Sequence, residues 1–257
     1  GQLVFKMGDA PNKEWGHSIK SRPKTEKLLP FVVLPYAVTS DENFLHTGKV
    51  VLKCEDKQAK IYYTTDGSEP TEKSSIYQKP ITIHKTTLVR FVAFKEGILP
   101  SVPVSIKMNK LEFEPFTNFE NIFDFSPGLE YKYYHAHVMD EFALDELEPV
   151  ETGIISRFTA DERKREDYFG YSFSGFLKIP RDGIYTIYAK TNDGSTLFLD
   201  GKKFMTQGHR SIAIRKGKYK IAQKYFQLGN KKFDYVSWEG PGIEKQEIPP
   251  GALFHKN

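Results

Sequence analysis

The sequence predicts an all-β protein with two consecutive β-sandwiches that follow an N-terminal tail. Apolar and β-branched runs of about four to eight residues recur along the chain, bounded by Gly, Pro, Asn and Asp. Helical periodicity is scarce, and only the stretch at 158–169 is expected to hold a short helical turn. The strand pattern breaks near 109–114, which divides the strands into two sets, and many short strands with regular turns are typical of sandwiches.

The predicted strands give the domain boundaries. The first set covers 31–38, 49–54, 60–65, 81–83, 88–94 and 102–108. The second set covers 131–138, 153–158, 170–179, 184–191, 196–200, 218–228 and 233–240. We therefore expect a tail and linker at 1–30, a first domain at 31–109 and a second domain at 110–257. The Pro/Lys/Arg-rich stretch SIKSRPKTEKLLP, just before the first strand, is typical of a linker.

Composition limits the function classes. The chain has 257 residues and a net charge of +4, which is too small to favour binding to nucleic acid or to an anionic membrane surface. The sequence contains no run of 18 apolar residues, so no membrane-spanning helix is predicted. The polar surface favours a monomer. Cys54 is the sole cysteine, so no internal disulfide is expected. The first residues lack the pattern of a signal peptide, so either a signal was removed or the chain is an internal piece.

The first predicted domain carries a specific motif in KIYYTTDGSEPTEKSSIYQKPI. The matching positions are Tyr63, Thr64, Asp66, Gly67, Ser68, Pro70, Thr71, Tyr77, Pro80 and Ile81. This pattern resembles the C-terminal immunoglobulin-like domain of chitobiases and related β-hexosaminidases. The resemblance implies an immunoglobulin- or fibronectin-like accessory domain of carbohydrate-active enzymes. From its residues alone, Asp66 is interpreted as a turn aspartate that caps its own backbone.

The second predicted domain carries many landmarks in order. They are Gly128, Leu129, Tyr133, Tyr134, Phe173, Gly175, Ile179, Pro180, Gly183, Tyr185, Asp193, Gly194, Ser195, Leu197, Asp200, Gly201, Gly217, Tyr219, Trp238, Gly240 and Pro241. The pattern resembles the protective-antigen-type β-sandwich (PA14) that occurs in glycosidases, adhesins and toxins. The resemblance implies a jelly-roll-like sandwich, with carbohydrate as the expected ligand.

The stretch TNDGSTLFLDGKKF has two interpretations. In lectin-like members of the PA14 family, two adjacent aspartates bind Ca²⁺, which holds sugar hydroxyls, so the resemblance implies a calcium or carbohydrate site at Asn192, Asp193 and Asp200. Ca²⁺ takes six to eight oxygen ligands, and Asn192 supplies an amide where such a pair has a second carboxylate. The turn chemistry favours the alternative, in which Asp193–Gly194 and Asp200–Gly201 are hairpin turns.

Several other side chains also have both a ligand-binding and a structural interpretation. Trp238 and Tyr134 could stack on sugar, since an aromatic face suits pyranose C–H groups, or could be core residues. His135 and His137 share one face of a strand but lack a third zinc ligand. A cluster of carboxylates follows them: Asp140, Glu141, Asp145, Glu146 and Glu148. Nothing fixes a pair of them at glycosidase spacing, and we find no catalytic constellation.

The tail supplies one further resemblance, in QLVFKMGDAPNKEWG at 2–16. The matching positions are Leu3, Phe5, Met7, Gly8, Pro11, Asn12, Lys13, Trp15 and Gly16. The stretch resembles the closing strand of the catalytic module in glycoside hydrolase family ninety-two, the calcium-dependent α-mannosidases. The resemblance implies that the catalytic residues lie upstream, in a secreted, periplasmic or cell-surface bacterial enzyme.

The sequence as a whole therefore predicts a non-catalytic accessory region of a secreted bacterial α-mannosidase. Its role would be to bind or orient mannose-containing or other host glycans near an active site outside this chain. Two alternatives remain open: a free-standing cell-surface adhesin that binds glycan through Asn192 and Asp193, and a structural spacer with no ligand.

Overall fold

The computed structural model describes residues 30–39, 41–229 and 234–257. Within these ranges the regular structure is almost entirely β-strand, with two short 3-10 helices at Glu141–Glu146 and Pro250–Ala252. The predicted all-β fold class is therefore confirmed. The predicted tail at 1–30, with its motif at 2–16, lies outside the described residues apart from Pro30.

The first sandwich is built from eight of the described strands. They are β1 (Tyr36–Val38), β2 (Asn43–Phe44), β3 (Gly48–Lys53), β4 (Lys60–Thr64), β5 (Ser75–Ile76), β6 (Ile81–Ile83), β7 (Thr87–Phe94) and β8 (Val104–Lys110). A three-stranded sheet has the order β1-β3-β6, and a five-stranded sheet has the order β2-β8-β7-β4-β5. Alternate residues of each strand point inward, so Val50 and Leu52 meet Val89 and Phe91 in one hydrophobic cluster. This shared core holds the two sheets face to face.

Asp66 forms the turn that the sequence predicts. Its Oδ1 accepts hydrogen bonds from the backbone N–H of Ser68, at 3.0 Å, and from the Ser68 hydroxyl, at 2.6 Å. These bonds lower the pKa of the Asp66 carboxyl. Gly67 completes the turn with a φ of 85°. Asp66 is therefore a structural residue of this turn, as interpreted from the sequence.

A short connection leads from the first sandwich to the second. The N–H of Leu111 donates to the Phe44 carbonyl at 2.9 Å, and the N–H of Glu114 donates to the Ala213 carbonyl at 3.0 Å. The backbone is thus bonded on both sides of residues 112–113. The last strand of the first sandwich ends at Lys110, beside the predicted division at 109–110. The predicted domain boundaries themselves stay a prediction.

The second sandwich contains the remaining described strands. They are β9 (Phe125–Pro127), β10 (Leu129–His135), β11 (Glu151–Ile155), β12 (Phe169–Ile179), β13 (Gly183–Thr191), β14 (Gly194–Leu199), β15 (Lys202–Met205), β16 (Gly208–Ile214), β17 (Gly217–Gln227), β18 (Asp234–Gly240), β19 (Ile243–Glu247) and β20 (Leu253–Lys256). The larger sheet has the order β11-β10-β12-β17-β14-β15, with β20 paired to β12 and to β9. The smaller sheet has the order β16-β13-β18-β19.

Aromatic side chains fill the core between these two sheets. Strands β12 and β17 pair over eleven residues, from Phe169↔Gln227 to Ile179↔Gly217. The inward side chains of β12 include Tyr171 and Phe173, whose rings stack with centroids 5.1 Å apart. From the facing sheet, Tyr185 packs in the same cluster and is completely buried. Burial of each such ring stabilises the fold by about 2–3 kcal/mol, taken as an upper estimate.

The sequence missed the shorter strands and the 3-10 helix. The stretch at 158–169 contains one hydrogen-bonded turn, in which the Arg163 N–H donates to the Ala160 carbonyl at 3.3 Å, and forms no helix before β12 begins. Its charged side chains form local ion pairs instead, such as Arg157 with Asp161 at 3.1 Å. The 3-10 helix lies at Glu141–Glu146, where Asp140 accepts a hydrogen bond from the Phe142 N–H at 2.7 Å and caps the first turn.

A two-residue hairpin joins β14 to β15. Leu199 pairs with Lys202, so Asp200 and Gly201 form the whole turn. Both have positive φ, 51° and 75° respectively, which is the geometry of a type I′ turn. The hairpin interpretation of Asp200–Gly201 is confirmed.

Gly201→Ala is expected to lower the free energy of unfolding by about 1 kcal/mol, because an alanine at positive φ is strained. A Cβ at Gly201 meets nothing within 4 Å, so the effect isolates the backbone conformation. Chemical denaturation measures it. Gly251→Ala is the matched control, since Gly251 has equally open space without a positive φ. Equal effects of the two substitutions would contradict the role assigned to the turn.

Candidate functional site

Asn192 and Asp193 form the link between β13 and β14. These strands do not pair with each other: β13 pairs with β16 and β18, while β14 pairs with β15 and β17. The chain therefore crosses here from the smaller sheet to the larger one. The hairpin interpretation of Asp193–Gly194 is wrong, because Asn-Asp-Gly chemistry signals a local reversal but does not specify which strands pair across it.

The Asp193 carboxylate closes the loop that follows β17. Its Oδ2 accepts hydrogen bonds from Gln227 Nε2 at 2.6 Å, from the Leu228 N–H at 2.7 Å and from the Gly229 N–H at 3.4 Å. Gln227 is completely buried, and its Oε1 accepts a hydrogen bond from the Tyr225 hydroxyl at 2.6 Å. Asp193 thus satisfies the backbone N–H of Leu228 and shares the Gln227 amide with the Gly229 carbonyl, to which Gln227 Nε2 also donates.

Asn192 lies beside this hydrogen-bond network but makes fewer hydrogen bonds than Asp193. Its Nδ2 donates to the Gly229 carbonyl at 3.2 Å, and its Oδ1 accepts no hydrogen bond from a described residue. The Gln207 side chain donates to Thr191 Oγ1 at 3.0 Å and orders the backbone just before the link. Asn192 Oδ1 and Asp193 Oδ1 are consequently the oxygens that this link can offer to a ligand.

Asp200 does not join them. It lies at the other end of β14, and seven residues at about 3.3 Å each put it about 20 Å along the strand from Asp193. There its Oδ2 accepts a hydrogen bond from the Thr117 N–H at 3.3 Å. The structure therefore separates Asp200 from the pair with which the sequence grouped it.

The structure corrects the two predicted stacking residues. Trp238 is 2% exposed and packs against Tyr185, with ring centroids 5.8 Å apart. Tyr134 is 4% exposed and packs with Ala136 and Leu144. Burial raises the pKa of the Tyr134 phenol. Both rings lie in hydrophobic clusters, so neither has a face open to a sugar.

The oxygens at the β13–β14 link are few for calcium. Asp193 supplies one carboxylate, of which one oxygen already accepts three N–H groups, and Asn192 supplies one amide oxygen. Across the described part of the chain, no three side chains of His, Cys, Asp or Glu come together to hold a metal. Ca²⁺ takes six to eight oxygens, so these two side chains alone do not make a complete site. A calcium role stays a prediction.

The acidic residues that follow β10 are engaged in packing the 3-10 helix onto the larger sheet. Glu141 accepts a hydrogen bond from the Thr196 hydroxyl, and Asp145 pairs with Lys224. Nearby, the exposed His137 packs its ring on Tyr168, with centroids 4.6 Å apart. These contacts give the carboxylates structural partners within the fold.

A pocket next to the β13–β14 link was missed by the sequence analysis. It lies on the outer face of the smaller sheet, has a volume of ≈ 390 Å³, and we call it the Tyr188 pocket. Its lining includes Tyr188, Lys190, Gln207, His209, Tyr235 and Lys245. Tyr235 is 50% exposed, so its ring can meet a ligand. The alternation at 184–191 predicts that Tyr188 and Lys190 face outward, but β16 and β19, which complete the pocket, carry no comparable signal.

The Tyr188 side chain is held firmly in this pocket. Its hydroxyl donates to Glu239 Oε1 at 2.6 Å, and the Lys245 ammonium lies 3.6 Å from its ring centroid. The hydrogen bond to Glu239, helped by partial burial, raises the pKa of Tyr188 to about 12. The phenol therefore stays protonated and can act as a fixed, neutral part of a binding surface.

Comparison with protein families identifies two domains. Residues 40–105 match the chitobiase/beta-hexosaminidase C-terminal domain, and residues 126–252 match the PA14 domain. Both resemblances stated from the sequence motifs are confirmed. Among the described residues, no helix has the length and apolar character to cross a membrane.

Individual relatives are distant. Over 136 residues the chain is 24% identical to the anti-sigma-I factor RsgI3 of Acetivibrio thermocellus, which is 49% of this chain but only 21% of that protein. An anti-sigma factor domain-containing protein from Clostridium clariflavum has 17% identity and a TM-score of 0.44, over 82% of this chain and 83% of that one. The Epa9A domain of Candida glabrata, solved with Galb1-3GlcNAc, has 12% identity and a TM-score of 0.43, over 52% and 91%. Such distant likeness transfers no ligand and no activity.

Asp193→Ala is expected to lower the free energy of unfolding by about 1–3 kcal/mol, because the Leu228 N–H loses its acceptor and Gln227 Nε2 keeps only the Gly229 carbonyl. Urea denaturation followed by tryptophan fluorescence measures the change. Asp161→Ala is the control: it removes an exposed carboxylate from a surface ion pair and should change stability by about 0.5 kcal/mol or less. An Asp193→Ala protein as stable as the control would refute the bracing role.

The raised pKa of Tyr188 predicts a pH dependence. Its folded-state value of about 12 lies above the unfolded value of 10.0, so its contribution to stability is complete below pH 10 and is lost as the pH rises toward 12. Ultraviolet titration of phenolate, taken as the difference between the parent and Tyr188→Phe, should show one late titration. Glu239→Gln should move that titration to lower pH, since the negative acceptor is gone. No movement would contradict the assigned cause.

Proposed function

We propose that this chain is a non-catalytic, glycan-binding accessory region, with the ligand held between the β13–β14 link and the Tyr188 pocket. The observation that carries the proposal is the continuity of these two features. Lys190 pairs in register with Tyr235, and Gln207, which lines the pocket, bonds to Thr191, the residue before Asn192. The match to a chitobiase/beta-hexosaminidase C-terminal domain adds support, since that name associates the domain with enzymes of carbohydrate metabolism.

The chemistry of the pocket suits a sugar. The exposed ring of Tyr235 can pack against the apolar C–H face of a pyranose. Lys190 and Lys245 supply donors to hydroxyl oxygens, while Asn192 Oδ1 accepts from hydroxyl groups. A volume of ≈ 390 Å³ is at the lower end of the range for small-ligand sites, which fits one or two sugar units.

The proposed biological setting is a secreted, periplasmic or cell-surface bacterial protein that binds mannose-containing or other host glycans. The parent α-mannosidase is proposed from the motif at 2–16 alone. A catalytic domain encoded directly upstream of Gln2 would favour an accessory role, and its absence would favour the free-standing adhesin. The chain spans about a fifth of the length of the anti-sigma-I factor that it matches. The activity of a longer protein that contains this chain is therefore also a proposal.

Calorimetric titration tests the binding site. Mannose-rich and other host glycans are titrated into the protein with calcium, and again with a chelator. Tyr235→Ala should weaken binding about 2- to 10-fold, the range expected for loss of an aromatic contact. Asn192→Ala should also weaken it. Asp200→Asn is the matched control, because it removes a carboxylate at the far end of β14 and should leave binding unchanged.

The outcomes separate the alternatives. Heat that needs calcium and is lost in Asn192→Ala would establish a metal-assisted site at the β13–β14 link. Heat that persists with chelator and falls in Tyr235→Ala would establish a metal-independent site in the Tyr188 pocket. No heat with any glycan would refute the proposal and leave the structural spacer.

A further inference from the structure

A second cleft lies on the opposite side of the same sandwich, on the outer face of the larger sheet. We call it the Phe198 cleft; its volume is ≈ 230 Å³. Among its lining residues are Glu130, Ser174, Phe176, Phe198, Lys220 and Lys256. None of these residues takes part in the Tyr188 pocket. The two features therefore face away from each other.

The strand register creates this cleft. One row across the sheet runs Glu130↔Ser174, Ser174↔Ala222 and Ala222↔Phe198. The small side chains of Ser174 and Ala222 form a low floor in the middle of the row. Phe198 rises at one end, and Phe176 rises in the next row, where it pairs with Lys220.

Both phenyl walls are held in place by other rings. Phe176 has edge contacts with Phe125 and Phe119, at centroid distances of 4.9 and 5.5 Å. Phe198 has an edge contact with Phe142 at 6.2 Å. Because the walls are packed before any ligand arrives, little side-chain freedom is lost on binding.

The cleft is also positively charged at its mouth. Lys220 and Lys256 lie over the rings of Phe119 and Phe123, at 5.0 and 4.3 Å, and neither ammonium pairs with a carboxylate of the described residues. On the far wall, Glu130 accepts a hydrogen bond from Ser174 at 3.4 Å. The arrangement offers two cations, one carboxylate and one hydroxyl around an apolar slot.

We infer that the Phe198 cleft binds a six-membered ring that carries a carboxylate. The ring packs between Phe176 and Phe198, and its carboxylate accepts hydrogen bonds from Lys220 and Lys256. The oxygens of Glu130 and Ser174 accept hydrogen bonds from ring hydroxyls where these are present. A uronic acid unit and an aromatic carboxylic acid share this chemistry. The inference does not depend on the proposed glycan site at Asn192.

Two matched pairs of probes test the inference and separate the sources. Glucuronate is compared with glucose, and benzoate with benzamide, by titration into the isotope-labelled protein with amide chemical shifts as the readout. Binding should shift the amides of Ala222 and Ser174, at the floor of the cleft. Within the pair that binds, the acid should bind at least about tenfold more tightly than its neutral partner, as expected for a charge-assisted contact.

Variants locate the contacts. Lys220→Gln should weaken binding of the acid about tenfold and leave the neutral probe unaffected. Ala222→Leu should abolish binding by filling the floor, and its stability is checked by thermal unfolding. Lys107→Gln, which removes an exposed lysine from β8 of the first sandwich, is the control for net charge and should change nothing.

Each outcome either identifies the class of acid that the Phe198 cleft binds or overturns the inference. Preference for glucuronate assigns the cleft to acidic sugars, and preference for benzoate assigns it to aromatic acids. No shift with either acid, or equal affinity for an acid and its neutral partner, overturns the inference. A failure to bind glycan at the Tyr188 pocket is distinguishable, because it is measured with variants of Tyr235 and Asn192, which lie outside the Phe198 cleft.

Discussion

The long antiparallel pairing of β12 with β17 is the constraint on which the second sandwich depends. It runs for eleven residue pairs through the middle of the larger sheet. Its inward side places Tyr171, Phe173 and Tyr225 in the core, and its outward side supplies Ser174 and Ala222. At the end of the pairing, Gln227 reaches Asp193, which ties the crossing link to the same two strands. A shift of one residue would exchange the two faces of these strands and remove the core and the Phe198 cleft together.

This dependence explains why a structural carboxylate lies directly beside the proposed ligand oxygen at the β13–β14 link. Asp193 is occupied by the donors of the neighbouring loop, whereas the Oδ1 of Asn192, one residue earlier, accepts no hydrogen bond from any residue that the structure describes. A carboxylate that braces buried N–H groups is poorly placed to serve as a mobile ligand, because releasing it would leave those groups unsatisfied. Asp193 is therefore a structural residue of this link, and contact with a ligand is proposed for Asn192 alone.

Much of this fold was predictable from alternation, and the exceptions have physical causes. β6, β12 and β13 were predicted to within one residue, because their inward positions are apolar and their ends carry Gly or Pro. β16 begins GHRS and β19 reads IEKQE, sequences without apolar alternation because consecutive residues in these stretches are exposed on both faces. Turn chemistry located the Asp200–Gly201 hairpin correctly but misassigned Asp193–Gly194, since pairing partners are set by distant strands. Trp238 shows the same limit: its residue type suits a sugar, and only the packing against Tyr185 reveals that it is buried.

The two outer faces of the second sandwich carry different chemistry, and this has a consequence for valency. Sheets in a sandwich pack about 10 Å apart, so ligands on the two outer faces would be separated by little more than the thickness of one module. If each face holds a unit of a polymer, a single copy joins two strands of that polymer without any contact between protein molecules. Crosslinking would then require no oligomer, and its extent would depend on the ratio of protein to polymer chains.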